Sequence, residues 1–394
     1  MFVKRRLSLH YARHERSIES LWRNKVITLK EKFFGCIAST WIGSAMGAAV
    51  EGWDRKDIEA EHGWLDQMLP YKHWLKGWRF PGGTTEDGIE RQKLMATAVI
   101  EKGDRITAGD LVQVWKRDLD PEKATYKQEP FDVALCKLAQ AGCPSTMLGT
   151  MWPFPNVNAV GRAAHPIGLI NAGDPEGAAI DTYDIGRLYA YDNVPALCWA
   201  ALYNAGIAAA CAPDATVDSV LDVMISYTTY RREAAGLYGR YDTIQKDLER
   251  GIDIAQTAGD YRSFCEEFDK VYYGGKHIVY DMAQANEIIP KGVAIFVFSK
   301  GDPKESIISA VNMGRDTDCS AAVSSGLSGA LNGGASLPQE WIEQVDTATH
   351  GDPYTNNKRT MRETSDGLFA AYMARRGKQQ QWLDKMGDQA FLAE

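Results

Sequence analysis

Two segments of this chain join helical length to a density of small residues that a helix rarely carries. The first, within residues 31–50, contains Ser39, Gly43, Ser44, Ala45, Gly47, Ala48 and Ala49. The second, residues 318–332, contains Ser320, Ala321, Ala322, Ser324, Ser325, Gly326, Ser328, Gly329 and Ala330. Glycine inside a helix costs about 1 kcal/mol relative to alanine. Something has to offset that cost, and close approach of two helices inside a core is the simplest candidate. Both helices are therefore expected at the centre of the fold, where they would give a site a rigid base.

The rest of the chain also reads as helical. Residues 86–102 carry Ile89, Leu94, Ala98 and Val99 on one face after a polar start at Thr84-Thr85. Helices are further expected over 108–118, 131–141, 194–211, 216–230, 276–289 and 303–313. Alternation of period two is almost absent, and the run Val293–Phe298 fits either a short strand or a buried helical turn. The Pro/Gly-rich stretches 80–83, 151–168 and 333–356 read as loops. No long linker divides the chain and no internal repeat is evident. The expectation is an all-α fold, a single multi-helix domain over 31–394 preceded by a basic extension over 1–30.

That extension holds Lys4, Arg5, Arg6, Arg13, Arg16, Arg23, Lys25 and Lys30 against Glu15 and Glu19. It reads as a solvated leader or the product of an early start codon, with a transit peptide as the alternative, disfavoured because the segment lacks a clear amphipathic stripe. The whole chain has a formal net charge of −8, which argues against a nucleic-acid partner. No run of about 18 consecutive apolar residues marks a membrane span. The seven cysteines are odd in number and show no C-x-x-C pair. They read as reduced thiols in a cytoplasmic protein rather than as a zinc site.

The chemistry concentrates in three acidic places. Thr84-Thr85-Glu86-Asp87 precedes one helix, Gly314-Arg315-Asp316-Thr317-Asp318 precedes another, and Glu51 closes the first small-residue helix. Capping of helix N-termini explains such residues in general, and for Thr84–Asp87 taken alone it is the preferred reading. Asp316 and Asp318 are different. On the turn that enters a helix both side chains can converge while Thr317 points elsewhere. Two such turns meeting would build an oxygen-rich cage suited to Mg²⁺ or Mn²⁺.

The order of these pieces resembles the ADP-ribosylglycohydrolase family. It runs from Gly47-Ala48-Ala49-Val50-Glu51 through Thr85-Glu86-Asp87 to Gly314-Arg315-Asp316-Thr317-Asp318. The upstream Ala310-Val311-Asn312-Met313 and the downstream Gly/Ala/Ser helix as far as Gly333 also match. The resemblance covers about residues 33–342, and the Asp-Thr-Asp turn with its helix is the most specific part. It implies an all-α hydrolase that cleaves an N- or O-glycosidic bond to ADP-ribose or a related ribose, acting on a small-molecule or ADP-ribosylated substrate. It further implies two divalent ions, Mg²⁺ or Mn²⁺, held by Thr85, Glu86, Asp87, Asp316, Asp318 and Cys319. Glu51, Asp87 and Asp316 would be the catalytic residues, with Glu51 orienting a water or managing protons. Asn158, Gly161 and Tyr183 would contact substrate.

Several positions depart from the family pattern. The first turn is Thr-Glu-Asp where Thr-Asp-Asp is usual. Cys319 replaces a threonine, and a thiol is a poor ligand for a hard cation. Gly43-Ser44 stands where Gly-Asp is usual. Around 157–169 only Asn158 and the Pro166-Ile167-Gly168 frame are kept, and Thr182-Tyr183-Asp184 lies nearest to a missing Thr-His. Two alternatives follow: a hydrolase of small ribosides on the same scaffold, and a non-catalytic member of the fold. Trp152, Phe154, Tyr183, Tyr189 and Tyr191 would stack on a base or pack the core and rim, and packing is preferred. His165 beside Pro166 reads as structural. Tyr227, Tyr230, Tyr238 and Tyr241, with Arg231, Arg232 and Arg240, form a lid or a solvated helix face.

Overall fold

Burial of the two glycine-rich helices against each other organises the molecule. The computed structural model describes residues 27–73, 77–154, 156–191, 194–229, 242–272 and 282–387. In chain order the helices are α1 (Leu29–Gly47), α2 (Arg55–His62), α3 (Asp87–Lys102), α4 (Ala108–Asp118), α5 (Pro121–Lys127), α6 (Pro130–Gln140), α7 (Ser145–Leu148), α8 (His165–Ile170) and α9 (Pro175–Gly186). They continue with α10 (Pro195–Ala210), α11 (Val217–Ser226), α12 (Asp242–Thr257), α13 (Tyr261–Tyr272), α14 (Ala285–Phe298), α15 (Pro303–Val311), α16 (Thr317–Asn332), α17 (Gln339–Gly351) and α18 (Met361–Met386). Among the described residues the only sheet is a hairpin of β1 (Tyr71–Lys72) and β2 (Arg79–Phe80), paired antiparallel. The all-α expectation holds.

The close approach expected from the small residues is present. A Cβ on Gly35 would lie 2.3 Å from the Gly333 carbonyl carbon, and one on Gly329 would lie 2.2 Å from the Gly35 oxygen. Further along, a Cβ on Gly47 would fall 2.5 Å from the Asp318 backbone. Real Cβ atoms do not come this near to backbone, so α1 and α16 touch main chain to main chain. Serines lock the contact. Ser39 Oγ donates to the Ser325 carbonyl at 2.6 Å, and Ser325 Oγ donates to the Ser39 carbonyl at 2.9 Å. Each such bond contributes about 1 kcal/mol net, which offsets the helical cost of the glycines. Every residue from Lys32 to Gly47 and from Thr317 to Leu331 is buried.

The helices start where the sequence supplies caps. Thr28 and Glu31 form a capping box at α1, and Thr107/Asp110, Thr216/Ser219 and Thr360/Glu363 do the same at α4, α11 and α18. Since α1 begins at Leu29, residues 29 and 30 belong to the domain and not to a basic extension. Residues 1–26 lie outside the described residues, as do Tyr230, Tyr238, Tyr241, Arg231, Arg232 and Arg240. Residues 29–50 contain an 18-residue window with the mean hydropathy, 1.4, of a membrane span, yet 94% of that window is buried inside the protein. That is a core helix, apolar on every side.

Three expectations need correction. The stretch 333–356 is not a loop: α17 runs through it, with Pro338 and Asp352 as its caps. The end of 151–168 is also helical, since α8 starts at His165. A helix over 276–289 followed by a possible strand over 293–298 is instead the single helix α14, which accommodates Pro290 in its interior. Residues 276–281 of that expected helix lie outside the described residues.

Candidate metal centre

The approach of α1 to α16 delivers the second acidic turn to the end of α1. Thr317 Oγ1 donates to the Gly47 carbonyl at 2.8 Å, so Thr317 does point away from Asp316 and Asp318. The chain beyond α1 is stitched to the same turn: Gly52 N–H donates to the Arg315 carbonyl and Arg315 N–H to the Trp53 carbonyl, each at 2.8 Å. Glu51 is thereby held beside Asp316.

The turn itself is backbone of an uncommon kind. Gly314 has φ +75° and Arg315, with a side chain, has φ +69°. Such a residue persists only when its surroundings hold it. The Arg315 guanidinium grips Glu287 with two bonds of 2.6 and 2.7 Å, and Lys291 Nζ donates to the Gly314 carbonyl at 2.9 Å. Asp316 then caps α16, accepting from Cys319 N–H at 3.2 Å. Ligand atoms of Asp316, Asp318 and Cys319 all lie within 4.8 Å of one another, and all three residues are buried. Asp318 Oδ1 is buried and takes no hydrogen bond.

The first acidic turn sits opposite. Glu86 is the N-cap residue of α3, yet its side chain makes no capping bond. The capping explanation for this turn therefore fails for Glu86. Ser44 on α1 holds the turn instead, its Oγ accepting from Glu86 N–H at 3.2 Å. Thr85, Glu86 and Asp87 are all buried. Asp87 faces Arg91 at 2.8 Å, and Arg91 is itself shared with Asp132. Sequence reasoning missed two neighbours from the hairpin region. The Tyr71 hydroxyl faces the Glu86 carboxyl, and His73 Nε2 lies 3.6 Å from Glu86 Oε2.

A third missed residue is Arg162. Its Nη1 donates to Asp318 Oδ2 at 3.0 Å and also reaches Cys319 Sγ, while Nη2 pairs with Asp87 Oδ1. A lone cation in the small, apolar run Ala159-Val160-Gly161-Arg162-Ala163-Ala164 was the available sign, because such a run is buried and a buried arginine needs acids.

The electrostatics follow from five carboxylates that face Arg162 and Arg91, the latter shared with Asp132. Burial, then Asp318, pushes Glu86 up to about 8. Burial and the neighbouring Asp318, Glu86 and Asp316 hold the Glu51 carboxyl well above the usual range, with Arg162 acting the other way. Asp316 is raised by burial and by Asp318. Acids in this state call for a cation. Asp316 and Asp318, with Glu86 facing Asp318, offer oxygen donors, which fits one hard divalent ion such as Mg²⁺ or Mn²⁺. A second ion on Asp87, Asp318 and Cys319 does not fit, because the Arg162 guanidinium and a soft thiol stand there.

The residues expected to contact substrate divide. Asn158 is 3% exposed and both polar atoms of its side-chain amide are unpartnered. Gly161 packs on it, with space for a Cβ closed by Asn158 Oδ1 at 2.2 Å. Tyr183, however, is buried in the hydrophobic core on α9, so a substrate would have to displace packed side chains to reach its ring. His165 is structural: it bonds Gln92 at 3.0 Å and Tyr203 at 2.8 Å, and burial pulls it down to about 3. Trp152 and Tyr189 pack the core, whereas Phe154 and Tyr191 are exposed. A cavity of about 490 Å³ opens beside the first acidic turn, lined by Phe80, Thr84, Gln344, Thr347 and Tyr354 among others.

The ADP-ribosylglycohydrolase family profile matches residues 25–378. An uncharacterized protein, YegU of Escherichia coli (strain K12), is 21% identical over 313 residues, covering 77% of this chain and 88% of that protein. A solved structure described as an ADP-ribosylglycohydrolase-related protein complex superposes with a TM-score of 0.58 at 16% identity, over 88% of this chain and 98% of its own. That likeness concerns the fold.

Proposed function

The chain belongs to the ADP-ribosylglycohydrolase family, and from that premise we propose that it is a metal-assisted hydrolase of an N- or O-glycosidic bond to ribose, with ADP-ribosylated substrates as the first class to test. The observation that carries the reading is the convergence of Glu51, Glu86, Asp87, Asp316 and Asp318 in one place with more negative charge than Arg162 can balance. A divalent ion bound there would bind ribose hydroxyls and polarise a water.

The chain's own residues have separable tasks in this proposal. Thr85, Glu86, Asp316 and Asp318 hold the ion. Glu51, half-buried at the end of α1 and surrounded by acids that favour its protonated form, carries a proton to or from the reacting oxygen or nitrogen. With a cation held by the neighbouring acids, the Glu51 carboxyl would lose part of that preference and exchange protons more readily. Asp87 fixes Arg162 through its ion pair. The unpartnered Asn158 amide offers a donor and an acceptor to a sugar or a phosphate. A reducing, cytoplasmic setting belongs to the same proposal, since none of the seven cysteines is joined in a disulfide among the described residues.

A smaller riboside is the second reading. Its support is the 157–162 loop, where the one glycine, Gly161, is closed in by Asn158 and Ile289 and so offers little backbone to a diphosphate. The test is release of ribose or ADP-ribose from ADP-ribosylated arginine, ADP-ribosylated serine and simple nucleosides, with Mg²⁺ or Mn²⁺ present. Turnover of the ADP-ribosylated substrates, abolished in a folded Asp316→Ala variant, is expected. Turnover of nucleosides alone would replace the lead reading with the second. Unchanged turnover in Asp316→Ala would remove the metal centre from the mechanism.

A further inference from the structure

Arg162 lies where the two acidic turns meet. Its stem crosses α3 at Gly88, where a Cβ would lie 2.8 Å from both Arg162 Cδ and Nε. The absent side chain at 88 is what gives the arginine its path. From there the guanidinium spans the gap, with Nη2 on Asp87 from the first turn and Nη1 on Asp318 and Cys319 from the second. The two oxygens of Asp318 are thereby put to different uses: Oδ2 accepts from Arg162, while Oδ1 is buried and takes no hydrogen bond. Asp316 lies in the same cluster, its ligand atom within 4.8 Å of that of Asp318, and its Oδ1 accepts from Cys319 N–H.

Two features on separate elements agree. The guanidinium is a permanent cation whose planar fork suits two carboxylates at once. The thiol at 319 is a poor ligand for a hard ion and a tolerable neighbour for an arginine. A divalent ion bridging Asp87, Asp318 and Cys319 would have to share their oxygens with a positive charge already in place.

We infer that Arg162 occupies the position of one of two cations in this acidic centre, so that the protein binds a single divalent ion on the side of Glu86, Asp316 and the unpartnered Asp318 oxygen. The inference rests on the reading of the cluster as a metal centre and specifies its stoichiometry. It makes the pairing of Asp87 with Asp318 a fixed feature of the chain, present before any ion arrives. The single ion is then the exchangeable part of the centre, and Arg162 the part that no chelator removes.

The test is titration of the full, metal-free chain with Mn²⁺, followed by calorimetry and by electron paramagnetic resonance, with turnover measured on the same samples. One ion per chain and the spectrum of isolated Mn²⁺ are expected. Two ions per chain with exchange-coupled spectra would overturn the inference, and if ADP-ribose were still released the proposed function would stand without it. No ion bound and no turnover would overturn both. The double variant Arg162→Gln/Cys319→Thr, folded by circular dichroism, is expected to take up a second ion with a coupled spectrum. A folded double variant that still binds one ion would show that Arg162 does not exclude the second. Should that variant fail to fold, the unaltered protein decides the question alone.

Discussion

Glu86 and Glu90 lie one helical turn apart at the start of α3 and are equally buried, yet their surroundings are opposite. Glu90 sits in a balanced set. Lys93 Nζ is 2.9 Å away, Lys127 Nζ is 3.6 Å away, and Asn356 N–H and Thr355 Oγ1 donate to its oxygens at 2.7 and 2.9 Å. Lys127 also pairs with Asp352 at 2.6 Å. Burial alone would push Glu90 up, but Lys93, Lys127 and the Asn356 N–H outweigh it and hold the carboxyl below its usual range. Glu86 faces Asp318, Asp87 and Glu51 and is pushed up to about 8, by burial first, while the Tyr71 hydroxyl and Lys127 pull the other way without outweighing these. A buried acid that finds its cations within the chain is a structural tie. A buried acid surrounded by other acids is a request for a cation from outside. On the proposed function, the first set belongs to the fold and the second to the metal centre.

The comparison breaks most sharply at Lys127. Removing one partner from a balanced buried set leaves uncompensated charge, which costs about 3–5 kcal/mol. Lys127→Met is expected to lose about that much in chemical denaturation, and a loss below about 1 kcal/mol would mean that the set is not the tie described. Glu86→Gln is expected to act with the opposite sign on the metal-free protein. Glu86 is raised from about 4.5 to about 8, so its favourable contribution is full below the lower value and lost as pH rises through the upper one. Melting of the metal-free chain should decline between those pH values, and Glu86→Gln should flatten that decline. Glu90, held low, contributes the reverse: its stabilisation is present at neutral pH and is lost on acidification. Glu90→Gln should therefore weaken the protein at pH 7 and flatten the acid limb. Equal pH slopes for the two variants would dissolve the distinction. The smallest effect is expected from Ser44→Ala, which removes the acceptor of Glu86 N–H. It should cost about 1 kcal/mol and weaken ion binding by displacing the turn, while an unchanged ion affinity would mean that Ser44 does not set the position of Glu86.

The parts of this account that were legible in the sequence share a physical reason. Glycines inside helices are costly, so Gly35, Gly43, Gly47 and Gly329 had to mark a close contact, and that contact is what positions Asp318. Acids directly before helices at 86–87 and 316–318 were readable as turns, and their order along the chain carried the family. Helix α17 was missed because Gly333, Gly334, Pro338 and Pro353 crowd its flanks, and punctuation around a helix was taken for a loop. Helix α14 was split because the β-branched and aromatic run at 293–298 has no period that separates a strand from a helix buried on all sides. Arg162 was missed for a different reason. Its partners, Asp87 and Asp318, are 75 and 156 residues away, and no local pattern announces such a meeting. Tyr71 and His73 reach Glu86 through the hairpin, which two-residue strands do not advertise.

The central claim is that the surplus acids, and not the balanced ones, bind a divalent cation. Calorimetric titration of the metal-free protein with Mg²⁺, alongside Asp318→Asn, tests it directly. Saturable binding by the intact protein that is lost in the folded variant is the expected result. No binding by the intact protein, or equal binding by Asp318→Asn, would contradict the claim.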